Sequence, residues 1–415
     1  MGNGTSTSAG DKVPLSSMRC RSESQVPRCF RNVKCPYTPA STADGAYGVV
    51  NYSLIGPKDG QVVVCFHGLN GSRLLFQDTA LYLSRYGGFR VLTFDLYGHG
   101  LSNAPPVDLC PGRSCSSACK PGCFSCSGTR ARYDLEFFVE QTVDLLENIG
   151  LGSVRVNLLG FSLGGAIAMA FARYHPARVA RIVAISPSGF IPRVPRLYHV
   201  LRACWCCLIP LAPHCLCTCW YQKERFARSV RSENQGMADE SVHNLWSRFV
   251  WQLFVKRGVA SATLATCQRV NWFDLSALFR DVGRHSRPVL LVWGERDTLN
   301  PPSTIGKKVA AFFANAKLLV IPRAGHIAIC DKPAEVVPTI LGFLQLPDDV
   351  RLDNVPSLRP AGASTANVRW KPTADESASL MRASPEARSD QMPVPIVLGH
   401  GEDEENGARG STLTL

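Results

Sequence analysis

Short runs of consecutive apolar residues recur along the chain. Gln61–Phe66, Phe89–Phe94, Val154–Leu159 and Val179–Ile185 each hold several large hydrophobic side chains with little polar alternation. A strand buried on both faces has this pattern. Helical stretches lie between the runs, notably Tyr133–Ile149 and Gly165–Tyr174. Strand-like runs return at Pro288–Trp293 and Lys317–Ile321, and a last helix is predicted over Pro333–Leu344. Strands alternating with helices predict an α/β fold, with a mostly parallel, doubly wound sheet and helices on both faces.

The alternation breaks in three places. Residues 190–286 are basic and aromatic and carry no strand pattern, so they read as an inserted, mainly helical cap. The core is then expected over 45–189 and 287–346. Residues 1–44 are rich in Ser, Thr, Gly and Pro and read as a flexible N-terminal arm. Residues 347–415 are rich in Pro, Ser, Ala and charge, including Glu402-Asp403-Glu404-Glu405, and read as a disordered tail. No internal repeat is visible.

Composition narrows the function classes. At 415 residues and 45% hydrophobic content, the chain can build one large enzyme core with insertions and tails, or two to three domains. A mean hydropathy of −0.00 excludes a polytopic membrane protein. Lys and Arg outnumber Asp and Glu by 45 to 33, for a formal charge of +12. That surplus suits nucleic acid or anionic lipid. The chain shows no nucleic-acid-binding motif and its basic residues flank apolar sequence, so a membrane surface is the expected partner and nucleic acid is not. There are 17 cysteines. The first 30 residues contain no long apolar run, so secretion is not expected, and thiols, metal ligands or lipidation sites are preferred to a disulfide framework.

The chemistry lies at predicted strand ends. Gly160-Phe161-Ser162-Leu163-Gly164 follows one strand and opens a helix. Glycines on either side permit a sharp turn that projects the Ser162 hydroxyl at the positive end of that helix. His67-Gly68 follows another strand, and the backbone amides of Leu69 and Leu163 are the candidate oxyanion donors. His67 itself reads as loop-stabilising. Asp297 lies just past Val289–Trp293, with Glu295 as the weaker alternative. His326, after Pro322-Arg323-Ala324-Gly325, is the natural general base. Nucleophile, acid and histidine in that chain order follow the logic of acyl transfer.

On these residues the chain resembles the α/β-hydrolase-fold serine hydrolases over about residues 45–346. The markers are His67-Gly68, Asp95-Leu96-Tyr97-Gly98-His99-Gly100-Leu101-Ser102, Gly160–Gly164, Gly294-Glu295-Arg296-Asp297 and Gly325-His326. The resemblance is strongest to the capped lipase and esterase branch that includes monoacylglycerol lipases. It implies a cofactor-free Ser162–His326–Asp297 mechanism on a carboxylic ester, with an acyl-lipid such as a monoacylglycerol or lysolipid as the expected substrate. Members that open epoxides or remove halides carry Asp where this chain has Ser162, which argues against both activities. Hydrolysis of small esters, thioesters or carbon–carbon bonds remains open, as does a non-enzymatic scaffold on the same fold.

Two segments depart from the family pattern. Cys110, Cys115, Cys119, Cys123 and Cys126 crowd a loop where acylated or free thiols are expected ahead of a structural zinc site. Ala203–Trp220 is apolar, cysteine-rich and flanked by Arg and Lys, which suits either an interfacial segment on an anionic membrane or packing over the pocket. Met1-Gly2-Asn3-Gly4-Thr5-Ser6 fits a myristoylation pattern at Gly2, and Cys20 is a candidate second lipid site. The expected location is the cytoplasm or the cytoplasmic face of a membrane.

Overall fold

In a computed structural model of the chain, the described residues are 20–107, 131–192 and 222–358. Gly2 and the cysteine-rich stretches 110–126 and 204–219 lie outside them, as does the acidic run at 402–405. Eight strands form one sheet: β1 Ser41–Gly45, β2 Gly48–Ile55, β3 Val62–Phe66, β4 Arg90–Phe94, β5 Val156–Phe161, β6 Val179–Ile185, β7 Val289–Gly294 and β8 Ala316–Ile321. Their order is β1-β2-β4-β3-β5-β6-β7-β8. β1 and β2 pair antiparallel at one edge, and the six strands from β4 to β8 run parallel. The expected mostly parallel α/β sheet is present.

The continuous apolar runs have a simple cause: alternate residues of each inner strand serve opposite faces. Val62, Val64 and Phe66 of β3 join the core on one side, and Val63 and Cys65 join the core on the other. Leu158 and Leu159 of β5, and Leu291 and Leu290 of β7, divide in the same way. One face is covered by α2 Leu135–Asn148 and α3 Leu163–Tyr174, and the other by α1 Gln77–Gly87 and a helix over Pro333–Leu344. α2 begins two residues later than its hydrophobic pattern suggests, because the Asp134 side chain caps it by accepting from the Phe137 amide at 2.8 Å.

Between β6 and β7 the described chain is helical: α4 Lys223–Glu233, α5 Asp239–Val250, a π-helical turn at Trp251–Val255, α6 Val259–Arg269 and α7 Ser276–Gly283. α7 packs with α3 in the main core, through Leu278, Phe279 and Val282. This helix lies inside the expected 190–286 insertion and packs as a core helix does, burying Leu278, Phe279 and Val282 and exposing Ala277 and Arg280. After β7 come α8 Gly306–Ala310, α9 Ala328–Asp331 and α10 Pro333–Leu344.

Both expected tails begin further out than their composition suggests. The boundary at 44 cuts through β1, and residues 20–40 pack on the insertion rather than standing free. Phe30 stacks on Phe254 with ring centroids 4.6 Å apart, and Tyr37 meets Trp251 edge-on at 5.3 Å. Burying an aromatic side chain of this size is worth about 1.5–3 kcal/mol, enough to hold a segment that is otherwise polar. At the other end, Leu352 and Leu358 are buried in the second core, and Arg181 reaches Asp348 at 2.6 Å.

Candidate active site

Ser162 stands between β5 and α3 with φ 53° and ψ −117°, a backbone conformation that L residues rarely adopt. Its neighbours make the turn possible. A Cβ on Gly160 would lie 2.3 Å from the Gly164 carbonyl oxygen, and one on Gly164 would lie 2.0 Å from that of Phe66. Glycine at both places lets α3 start directly against the sheet, which is why the helix begins at Leu163 rather than at the expected Gly165.

The structure brings Ser162, His326 and Asp297 together from the ends of β5, β8 and β7. Ser162 Oγ lies 3.2 Å from His326 Nε2. His326 Nδ1 lies 2.8 Å from Asp297 Oδ2. Asp297 is buried, and its Oδ1 accepts from the backbone amides of Leu299 at 3.0 Å and Asn300 at 2.9 Å. The carboxylate is thereby oriented before it meets the imidazole. Glu295 is elsewhere: its Oε2 accepts from the Arg323 amide at 2.8 Å and ties one loop to the next.

Leu163 heads α3, next to the nucleophile, and Leu69 lies on the loop after β3. That loop passes close by: a Cβ on Gly68 would lie 3.3 Å from Ser162 Cβ. The loop turns back on itself through Gly71 N–H to the Gly68 carbonyl at 3.0 Å, with Asn70 at φ 54°. Among the described residues the Leu69 and Leu163 amides meet no protein acceptor. His67 has the loop-stabilising place expected for it. Its Nδ1 meets the Gly68 carbonyl at 2.7 Å, and its Nε2 accepts from the Leu96 amide at 3.0 Å. Burial lowers its pKa, against the opposing pull of Asp95, which favours the neutral ring that this bonding needs.

The Asp95–Ser102 signature is a buried polar scaffold. Asp95 accepts from Asn51 Nδ2 at 2.7 Å, the Arg73 amide at 2.7 Å and the Leu101 amide at 2.8 Å. It fastens the 67–73 loop to the turn after β4, and so acts on the site from a distance.

Several residues around the site give no signal in the sequence. Ser188, beyond β6, puts its hydroxyl 3.2 Å from Ser162 Oγ. Gln252, in the π-helical turn, accepts from the Gly100 amide at 2.6 Å and donates to the Asn70 carbonyl at 2.8 Å. Thr263 donates to Asn70 Oδ1 at 2.6 Å. Lys256 is buried, and its ammonium donates to the carbonyls of His99, Gly100 and Ser102. Burial lowers its pKa to about 8 from an ordinary 10.5. The insertion is thus stitched to the loops beside the nucleophile. Cys20 is an exposed thiol whose backbone pairs with Lys256. Among the described residues no cluster of three or more His, Cys, Asp or Glu side chains could hold a metal, and no helix is long and apolar enough to cross a membrane.

Residues 63–339 match the alpha/beta hydrolase family. The chain belongs to that family. A mouse sn-1-specific diacylglycerol lipase, ABHD11, is 25% identical over 310 residues, covering 71% of this chain and 85% of its own. Epoxide hydrolase 3 of Xenopus tropicalis is 24% identical over 352 residues, covering 80% and 84%. Among solved structures, a hydrolase from Pseudomonas aeruginosa superposes with a TM-score of 0.53 at 22% identity, over 74% of this chain and 98% of its own. At that identity the likeness speaks for the fold alone.

Proposed function

We propose that this α/β-hydrolase family member is a serine hydrolase that cleaves a carboxylic ester, with an acyl-lipid such as a monoacylglycerol or lysolipid as substrate. The observation that carries the reading is the hydrogen-bonded series from Ser162 through His326 to Asp297, at 3.2 and 2.8 Å. His326 Nε2 takes the Ser162 proton while Oγ attacks the acyl carbonyl. Asp297 holds the imidazole in the tautomer that leaves Nε2 free to accept, and steadies the imidazolium. The Leu69 and Leu163 amides bind the oxyanion, and the positive end of α3 adds to their effect. The imidazolium returns its proton to the leaving alcohol. Water, activated by His326, then releases the carboxylic acid and restores Ser162. No step needs a cofactor.

The related lipase supports an ester substrate. The related epoxide hydrolase does not redirect the reading, because a serine occupies the nucleophile position. Recruitment to a membrane surface through Gly2, Cys20 and the cysteine-rich stretches is a further part of the proposal and rests on the sequence.

The test is hydrolysis of p-nitrophenyl esters across acyl lengths by wild type and Ser162→Ala. Loss of activity in the variant, with medium or long chains preferred by the wild type, is expected. Activity on short chains only would replace the lipid reading with a small-ester one. Equal activity in both proteins would remove Ser162 as nucleophile.

A further inference from the structure

The end of α4 and the turn that follows it bond on both sides of Asp297, directly to the residue after His326, and through Asp331 to the residue before it. Their residues act one after another. The Thr298 hydroxyl donates to Glu233 Oε1. The Ile327 amide donates to Asn234 Oδ1 at 3.0 Å. The Arg296 guanidinium donates to Gln235 Oε1. The Gly236 amide donates to Asp331 Oδ1 at 2.5 Å, and the other oxygen of Asp331 accepts from the Gly325 amide at 2.8 Å. Residues 296 and 298 flank the acid, and 325 and 327 flank the histidine. The segment thus holds three of the four neighbours directly and the fourth through Asp331.

Glu233 is the charged member of this clasp: burial, and then Asp297, raise its pKa, while the His326 ring and the backbone amides of His326 and Thr298 that its carboxylate faces oppose the rise. Arg296 is engaged by Gln235, and Asp331 by Gly236 and Gly325. We propose that Glu233 is a positioning residue for His326, fixing its loop and placing a second negative charge beside the imidazolium that forms when Ser162 gives up its proton. The proposal rests on the Ser162–His326–Asp297 reading. It also explains why the insertion returns to the base of the site instead of packing on the sheet alone. A lone carboxylate beside Asp297 is repelled, and a positive imidazolium offsets that repulsion. The arrangement therefore favours the charged state through which the reaction passes.

The test compares wild type with Glu233→Gln and Thr298→Val by ester hydrolysis, melting temperature and labelling with a fluorophosphonate probe. Glu233→Gln keeps an acceptor for Thr298 and loses the charge. Its kcat is expected to fall about three- to tenfold with KM within about twofold. A reduced kcat with KM near wild type marks an interaction made in the transition state. Thr298→Val keeps the charge and loses only the bond to Glu233, so its kcat should fall less. A folded Glu233→Gln with wild-type kcat, or with its loss confined to a raised KM, overturns the proposal while wild-type labelling at Ser162 preserves the triad. Wild type that is not labelled at Ser162 overturns the triad and this proposal with it.

Discussion

Replacing Asp297 with Asn removes one charge and changes one atom, and the geometry says which way the new side chain must sit. Asp297 Oδ1 accepts from two backbone amides, those of Leu299 and Asn300, at 3.0 and 2.9 Å. An amide nitrogen there would face two donors with a third. The Asn carbonyl oxygen therefore stays with the backbone, and its NH2 group turns to His326 Nδ1, 2.8 Å away in the wild type. Nδ1 must then accept, so the imidazole proton moves to Nε2. Nε2 lies 3.2 Å from Ser162 Oγ and in that tautomer can only donate to it. The base is lost while every heavy atom stays in place. Loss of the correct tautomer in a triad of this kind costs about 10³–10⁴-fold in rate, or about 4–5.5 kcal/mol. The assay is kcat/KM on a p-nitrophenyl ester together with the rate of fluorophosphonate inactivation, with the melting temperature as a control for folding. Both rates should fall together. A folded Asp297→Asn that loses less than about tenfold would refute the argument.

Two further outcomes follow from buried polar contacts. Ser188→Ala removes the second hydroxyl partner of Ser162, 3.2 Å away, and acylation should slow by about two- to tenfold, the worth of one net hydrogen bond; an unchanged inactivation rate would show that this contact does not bear on the nucleophile. Burial depresses the Lys256 pKa from 10.5 to about 8, so between those values the unfolded chain binds a proton that the folded chain has released. Stability relative to Lys256→Met should therefore rise with pH through that window, by about 1–2 kcal/mol from pH 8 to about pH 10 in denaturant titrations. A flat or falling difference would contradict the burial of that amine.

What the sequence makes legible depends on how local the physics is. Strands β3 to β7 are visible because both of their faces are buried, so apolar residues run on without a break. β1, Ser-Thr-Ala-Asp-Gly, has exposed and half-buried positions only and carries no such signature; it exists because β2 pairs with it along five residues. Residues 20–40 pack through isolated side chains such as Phe30 and Tyr37, whose spacing follows no period. At the site, Ser162, Asp297 and His326 stand out because each sits on a strand-end turn of recognisable composition. Ser188, Glu233, Gln252 and Lys256 are ordinary polar residues in the chain; Ser188 is placed by the end of β6 lying beside the Ser162 turn, and the other three by how the insertion folds back. The Ser162 turn is legible for a different reason: close backbone approach leaves glycine as the residue that fits at 160 and 164.

The most direct measurement is labelling by a fluorophosphonate probe followed by peptide mapping, on the full chain and on Ser162→Ala. One adduct on Ser162 in the wild type and none in the variant is the expected result. A wild-type protein that is folded and carries no adduct at Ser162, or a Ser162→Ala protein labelled to the same extent, would contradict the assignment of Ser162 as the nucleophile.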